Sequence, residues 1–268
     1  MRIISFNANG LRSAARKGFF EWFAGQDADV LCVQETKAQE HQLGGPEFLP
    51  AGYTAYFRDA STRKGYSGVA IYTRRTPDAV RTALGWAAFD EEGRYIEARF
   101  GNLSVVSIYI PSGSSGELRQ GFKFQAMDWL RPILDGWLAS GRDYVLCGDW
   151  NIVRARNDIR NWTSNQKQSG CTPPERAWLN AMIADGCGDG LCVAPAQGWL
   201  DSFRVHRPDA DDGYTWWSNR GAARANNVGW RIDYQLITPS LRDRVVACRV
   251  HPEPRFSDHA PYVVDYRA

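Results

Sequence analysis

The sequence predicts an α/β fold with mixed sheets. Two patterns carry that expectation: short apolar runs that fall in pairs and triples, and a few helix-periodic stretches set between some of them. A regular strand–helix–strand alternation, which would give an all-parallel sheet, does not occur.

Apolar runs at 2–6, 30–33, 68–73, 95–100, 103–110, 144–147, 232–238 and 261–266 read as strands, and Gly101-Asn102 marks a hairpin between two of them. Three stretches read as helices. The first, 17–24, is short and aromatic. The second, 118–138, sets Phe122, Ala126, Leu130, Ile133, Leu134 and Trp137 on one face, and Pro132 is expected to kink or interrupt it. The third, 174–184, opens on Thr172-Pro173-Pro174-Glu175, a capping box with proline at the start. The interval 151–172 is polar and loop-rich. Long loops in compact domains are usually functional.

A chain of 268 residues without repeat, low-complexity run or linker is expected to form one domain, 1–268, since two-sheet folds of roughly 200–250 residues often do so. Hydrophobic residues at 44% exclude a disordered chain. The net charge of +2 lacks the excess of a strongly basic DNA-binding module, yet it leaves room for an acidic pocket rimmed by Arg and Lys. Eleven tryptophans exceed what a core of this size needs, so some are expected to face a ligand. The start, Arg2-Ile3-Ile4-Ser5-Phe6, reads as a strand and not as a targeting segment, and nothing approaches a membrane span. The expectation is a cytoplasmic protein with no membrane partner. Cys32 and Cys147 sit in strand-like runs as small hydrophobes, while Cys187 and Cys192 flank Gly-Asp-Gly-Leu and read as loop residues outside zinc spacing.

The informative pattern is where polar residues fall. Asn7 follows the first strand and Glu35 the second; Tyr109 ends a strand; Asp149 and Asn151 follow another; Asp233 begins an apolar run; Asp258 and His259 precede the last strand. Singly, each has an ordinary reading as a solvated acid, a turn or a loop cap. Jointly, on one rim of the sheets, they supply what metal-assisted phosphodiester hydrolysis requires. A hard cation such as Mg²⁺ takes oxygen ligands and keeps waters, so one or two carboxylates suffice. Glu35 is the first candidate ligand and Asp258 a second. Asp149, held by Asn151, suits a general base. His259 with Asp233 forms a dyad that can bond a phosphate oxygen, and Tyr109 can donate to the phosphate or leaving group. The identity of the base stays open between Asp149 and His259.

Seven motifs then occur in order: Phe6-Asn7-Ala8-Asn9-Gly10-Leu11-Arg12, Leu31-Cys32-Val33-Gln34-Glu35-Thr36-Lys37, Gly65-Tyr66-Ser67-Gly68-Val69, Tyr109-Ile110-Pro111, Gly148-Asp149-Trp150-Asn151, Trp230-Arg231-Ile232-Asp233 and Ser257-Asp258-His259. Together they resemble the exonuclease III branch of the endonuclease/exonuclease/phosphatase superfamily, over the whole span from Asn7 to His259. The resemblance implies a four-layer α/β sandwich, two mixed sheets packed face to face with helices outside. It implies Asn7, Glu35, Tyr109, Asp149, Asn151, Asp233, Asp258 and His259 as the active-site set, with Asn9, aspartate in some relatives, as an auxiliary metal contact. It implies Mg²⁺, with Mn²⁺ as a substitute. DNA contacts are implied for Arg12, Lys37, Tyr66 and the loop 161–170, which includes Asn161, Asn165 and Gln168; many relatives carry Asn at the last of these. The positions of Trp216, Trp230 and Ile232 are implied to line a pocket for a flipped-out abasic sugar, while Trp217 reads as core.

The implied activity is hydrolysis of the DNA backbone 5′ to abasic sites, together with 3′-phosphatase, 3′-phosphodiesterase and 3′→5′ exonuclease action. The implied partner is double-stranded DNA with abasic sites or blocked 3′ ends, bound by a monomer. Two other readings compete. One is a superfamily member acting on a different phosphoester, against which Arg12, Lys37 and Asn165-Gln166-Lys167-Gln168-Ser169-Gly170 speak. The other is a non-catalytic regulator on the same scaffold, against which the retained site residues speak.

Overall fold

The computed structural model describes residues 1–184 and 194–267; Cys187 and Cys192 lie outside the described residues. Two six-stranded sheets form the centre. The first runs β13 (Val245–Val250), β14 (Tyr262–Tyr266), β1 (Arg2–Asn7), β2 (Val30–Gln34), β4 (Val69–Thr73) and β3 (Thr54–Arg58). The second runs β5 (Ala79–Arg81), β6 (Tyr95–Phe100), β7 (Leu103–Tyr109), β8 (Asp143–Asp149), β12 (Asp233–Ile237) and β9 (Leu200–Asp201). Both sheets are mixed: β1 and β2 pair in parallel, as do β7 and β8, and the remaining pairs are antiparallel. A separate ribbon pairs β10 (Trp216–Trp217) with β11 (Gly229–Trp230).

Alternation along each strand explains the layering. Ile3, Val30, Cys32, Val69 and Val264 face Ile96, Val105, Val145, Cys147 and Ile237 between the sheets. The opposite face of the first sheet, with Ile4, Phe6, Leu31 and Val33, is covered by Leu11 of α1 (Leu11–Arg16) and by Phe19, Phe20 and Phe23 of α2 (Phe19–Ala24). The opposite face of the second sheet is covered by Ala126, Leu130 and Leu134 of α4 (Glu117–Ala139) and Leu179 of α5 (Pro173–Asn180). The short helices α3 (Ala87–Asp90) and α6 (Ser202–His206) complete the set. The result is the expected four-layer α/β sandwich.

Polar side chains also cross between the sheets. Gln34 Nε2 donates to Ser107 Oγ at 2.9 Å, and Ser107 donates to the Val33 carbonyl at 2.9 Å. Gln235 Nε2 donates to the Ile3 carbonyl at 3.1 Å. Satisfied buried polar groups of this kind fix how one sheet sits on the other, because sliding would orphan them.

The differences from the sequence expectation are local. The stretch 17–24 is preceded by a further helix, α1, and Gly18 in a left-handed conformation separates the two. Helix α4 continues through Pro132. Proline there frees the Asp128 carbonyl, but both residues are exposed and water can take the bond. Helix α5 keeps its capping box, with Glu175 accepting from the Thr172 backbone N–H at 3.1 Å, but stops at Asn180, four residues short of the expected end. Strands β3, β5 and β13 went unread because they carry Arg, Thr and exposed positions. Among the described residues, no helix is long and apolar enough to cross a membrane.

Candidate active site

Strand register explains why distant residues meet. Tyr109 pairs with Asp149 across β7 and β8, and Asp233 pairs with Asp149 across β12 and β8. Three candidate residues therefore sit side by side at one end of the second sheet. On the first sheet, Asn7 pairs with Gln34, so Asn7 and Glu35 stand at the matching end. His259 arrives just before β14 and bridges to Trp216. A cavity of about 900 Å³ opens there.

Hydrogen bonds and one longer ion pair link Asn7, Glu35, Asp149, Asn151, Asp233 and His259. Asn7 Nδ2 donates to Glu35 Oε1 at 2.9 Å and to Asp149 Oδ2 at 2.8 Å, linking the two sheets. Asp149 Oδ1 accepts from the Asn151 backbone N–H at 2.8 Å, and Oδ2 accepts from Asn151 Nδ2 at 3.2 Å. His259 Nδ1 lies 2.8 Å from Asp233 Oδ2, and Nε2 lies 3.8 Å from Asp149 Oδ2. Burial and the neighbouring Asp233 push the Asp149 carboxyl well above the usual carboxylate range, with His259 opposing them. Burial alone would lower the His259 pKa, but Asp233, Asp149 and Asp258 outweigh it and raise it to about 10. The imidazole is therefore a cation at neutral pH, and Nδ1 donates to Asp233. Tyr109 is buried with its phenol lining the cavity; desolvation, then Glu35, hold it protonated.

Ligand atoms of Glu35, Asp149 and His259 lie within 4.8 Å of one another. Asp233 Oδ1 is buried and has no hydrogen-bond partner among the described residues. A cluster of carboxylate oxygens in an open cavity is the donor set that a hard divalent cation takes. Asp258 stands apart from that cluster: its oxygens accept from Asn9 Nδ2 at 2.8 Å, Trp216 Nε1 at 3.2 Å and Ser257 Oγ at 3.1 Å.

The loop backbone around the site is held in unusual conformations. Asn9, Glu35, Lys37, Ser67 and Asn151 have φ between 43° and 52°. Left-handed geometry costs a non-glycine residue roughly 1–2 kcal/mol, and such residues cluster where structure positions chemistry. Backbone bonds enforce it: Gly10 N–H to the Glu35 carbonyl at 2.8 Å, Thr36 N–H to Gly68 at 3.0 Å and Lys37 N–H to Ser67 at 2.8 Å. Lys37, expected at DNA, lines the cavity and is paired there. Its ammonium sits 2.7 Å from Glu35 Oε2 and also bonds Asn9.

Trp216 and Trp230 form one wall, their rings edge to face at 5.7 Å, with Ile232 beside them. Asn161, Asn165 and Gln168 line the same cavity, as does Tyr66, whose hydroxyl accepts from Arg94 at 3.0 Å and Arg119 at 2.8 Å. Trp217 is buried, as expected of core. Arg12 is exposed on α1 and does not line the cavity.

Three residues of the site went unread. Arg94 is buried with its guanidinium 4.5 Å over the Tyr109 ring, donating to the Tyr109 carbonyl at 3.0 Å. Lys123, fully buried against Glu175, donates to the Asn151 carbonyl at 2.8 Å and so braces the loop that carries Asn151. Arg220 lines the cavity from the loop joining β10 and β11. A lone cation carries no positional signal in sequence; the one available hint was Lys123 on the apolar face of a helix.

A model of the Endonuclease/Exonuclease/phosphatase family matches residues 4–259. An exodeoxyribonuclease of Bacillus subtilis is 33% identical over 264 residues, covering 97% of each chain. The DNA repair nuclease APEX1 of Danio rerio is 35% identical over 266 residues, covering 97% of this chain and 80% of that one. The crystal structure of the Xenopus laevis APE2 catalytic domain superposes with a TM-score of 0.84 at 29% identity, covering 99% of this chain and 91% of that chain. With its fold, its linked carboxylate–amide–imidazole group and these likenesses in agreement, the chain belongs to the endonuclease/exonuclease/phosphatase family, on its exonuclease III-type branch.

Proposed function

We propose that the protein is a Mg²⁺-dependent DNA-repair phosphodiesterase, one domain over residues 1–268, that hydrolyses the DNA backbone 5′ to abasic sites and processes 3′ ends. The observation that carries this reading is the cluster of Asn7, Glu35, Asp149, Asn151, Asp233 and His259, linked by hydrogen bonds and one ion pair, beside a wall of two indoles.

Glu35 and an oxygen of Asp149 would hold Mg²⁺, with Mn²⁺ as a substitute and Asn9 and Asp258 as an auxiliary pair beside them. When bound, the ion supplies charge that polarises a phosphate oxygen and eases departure of the leaving oxygen. The chain's own groups do the rest. Asp149, fixed by Asn7 and Asn151, orients a water and takes its proton. The His259 imidazolium, held by Asp233, donates from Nε2 to a non-bridging phosphate oxygen. Tyr109 donates its phenol proton in a hydrogen bond to the phosphate or leaving oxygen.

Tyr66, Asn161, Asn165 and Gln168 would touch the DNA backbone from the cavity rim, with Arg12 outside it and Lys37 reaching phosphate once released from Glu35. Trp216, Trp230 and Ile232 would receive the abasic sugar. An apolar box accepts a deoxyribose without its base, and extrusion costs least where no base is stacked or paired. We read the enzyme as a monomer. The buried free thiols Cys32, Cys147 and Cys248 suit a reducing compartment and support the cytoplasm.

The test is a nicking assay on an abasic duplex with and without Mg²⁺. Nicking that requires the metal and leaves a 3′-hydroxyl supports the reading. Absence of cleavage with retained nucleic-acid binding would favour a non-catalytic regulator.

A further inference from the structure

A second groove, of about 540 Å³, opens on the other side of the loop that walls the catalytic cavity. Arg156, Arg160, Trp162, Asp211 and Tyr214 line it, and Asn161 lines both it and the cavity. Ile159, next to Arg160, bridges to Trp230, so the groove backs onto the indole wall.

Its charges are uncommitted. The guanidiniums of Arg156 and Arg160 are exposed and enter no hydrogen bond or ion pair among the described residues. The nearby buried acids do not neutralise them. Asp158 is taken by Arg204 at 2.6 Å and Arg231 at 2.7 Å, and Asp201 by Arg154 at 2.9 Å and Arg231 at 2.8 Å. Asp211 is the one carboxylate on the groove, and it is exposed. Tyr214 is only 6% exposed, yet its hydroxyl makes no hydrogen bond among the described residues, and Arg160 acts on it electrostatically. Trp162 is held in place by Arg176, stacked 4.5 Å from its ring.

Two free guanidiniums and an unpartnered phenol are donors suited to a phosphate, which arginine engages through two parallel hydrogen bonds. We propose that this groove is a second phosphate-binding site, which takes a phosphodiester of the DNA strand continuing past Asn161 from the catalytic cavity. The inference rests on the DNA-hydrolase reading above. The same chemistry would fit a free deoxynucleoside monophosphate, and the experiment separates the two sources.

The experiment measures anisotropy of labelled tetrahydrofuran-containing duplexes in chelator, with the flank on either side of the lesion shortened stepwise, beside single-turnover cleavage in Mg²⁺. Native protein is expected to gain about tenfold in affinity as one flank lengthens past the cavity. The Arg156→Ala/Arg160→Ala variant should lose that gain and flatten the salt dependence by about 0.9 per lost phosphate contact. Tyr214→Phe should lose part of it. Cleavage at saturating DNA should stay unchanged in all variants. An unaltered length dependence and salt slope in the double variant would overturn the proposal. If native affinity ignores flank length while deoxyadenosine monophosphate binds native protein but not the double variant, the strand assignment is overturned in favour of a free nucleotide. Failure of the underlying reading shows separately, as native protein that binds duplex in chelator but never nicks it in Mg²⁺.

Discussion

Asp149 and His259 share one face of the cavity, 3.8 Å apart, and in the proposed mechanism they divide the chemistry by charge. Asp149→Asn keeps the shape and an acceptor oxygen for only one of the two Asn151 contacts, and it removes the proton acceptor. General-base catalysis is worth roughly 10²–10⁴-fold, so the variant should fold, bind abasic DNA and turn over at least about a hundredfold more slowly. His259→Ala removes a preorganised donor and should cost about 10²–10³-fold. Single-turnover rates at saturating DNA read both; near-normal turnover by Asp149→Asn at neutral pH would remove Asp149 from the role of base. Glu35→Ala should lose metal affinity first, so a Mg²⁺ titration should partly rescue it. A variant rate that no Mg²⁺ concentration improves would remove Glu35 from the ligand set. Lys37 shows what residue identity leaves out: a lysine among site motifs reads as a phosphate contact, and the structure adds that its ammonium is paired with the Glu35 carboxylate two residues back.

At the scale of elements, the ribbon of β10 and β11 sets the two-indole wall, since its register places Trp216 opposite Trp230. Trp230→Leu should open that wall and narrow the gap between abasic cleavage and exonuclease action, whereas Trp230→Ala should lose abasic binding as well. Parallel rate measurements on an abasic duplex and a matched recessed 3′ end check this; an unchanged ratio in Trp230→Leu would detach the wall from substrate choice. The polar loop before α5 is anchored by a buried ionic knot in which Asp158 meets Arg204 and Arg231. Burial would raise the Asp158 carboxyl, but the two arginines hold it at about 2, below its ordinary 3.8. A lowered folded-state pKa means stability that is complete above the unfolded value and lost as pH falls toward 2. The difference corresponds to about 2 kcal/mol in total. Urea midpoints should therefore fall between pH 6 and pH 3, and Asp158→Asn, destabilised at all pH values by its orphaned arginines, should lose that part of the fall. An equal pH dependence in the variant would locate the acid sensitivity elsewhere.

At the scale of the whole molecule, the site exists because two sheets end at the same rim. That much was legible: apolar runs marked the strands, and a polar residue after each run marked the rim. The pairing of Tyr109, Asp149 and Asp233 across three neighbouring strands was not, because strand order is a long-range property that local patterns do not encode. Nor were the braces. Arg94, Lys123 and Arg220 reach the site from a strand flank, a helix and a loop, and a single basic residue looks the same in sequence whether it is solvated or buried. The Asp158 knot stayed hidden for the same reason: its partners lie 46 and 73 residues away. The two-indole wall, under the proposed sugar-pocket role, predicts that abasic cleavage exceeds trimming of a matched end. Extrusion favours the same outcome by a few kcal/mol, since an abasic site has no base to unpair.

The most direct measurement is single-turnover cleavage of a duplex carrying a tetrahydrofuran abasic analogue, beside degradation of a matched recessed 3′ end, each in Mg²⁺ and in excess chelator. The predicted result is a nick 5′ to the analogue that leaves a 3′-hydroxyl, forms faster than the matched end is trimmed, and vanishes in chelator until Mg²⁺ or Mn²⁺ is restored. Full activity in chelator would contradict the metal-assisted site, and faster loss of the matched end would contradict the sugar pocket and describe an exonuclease.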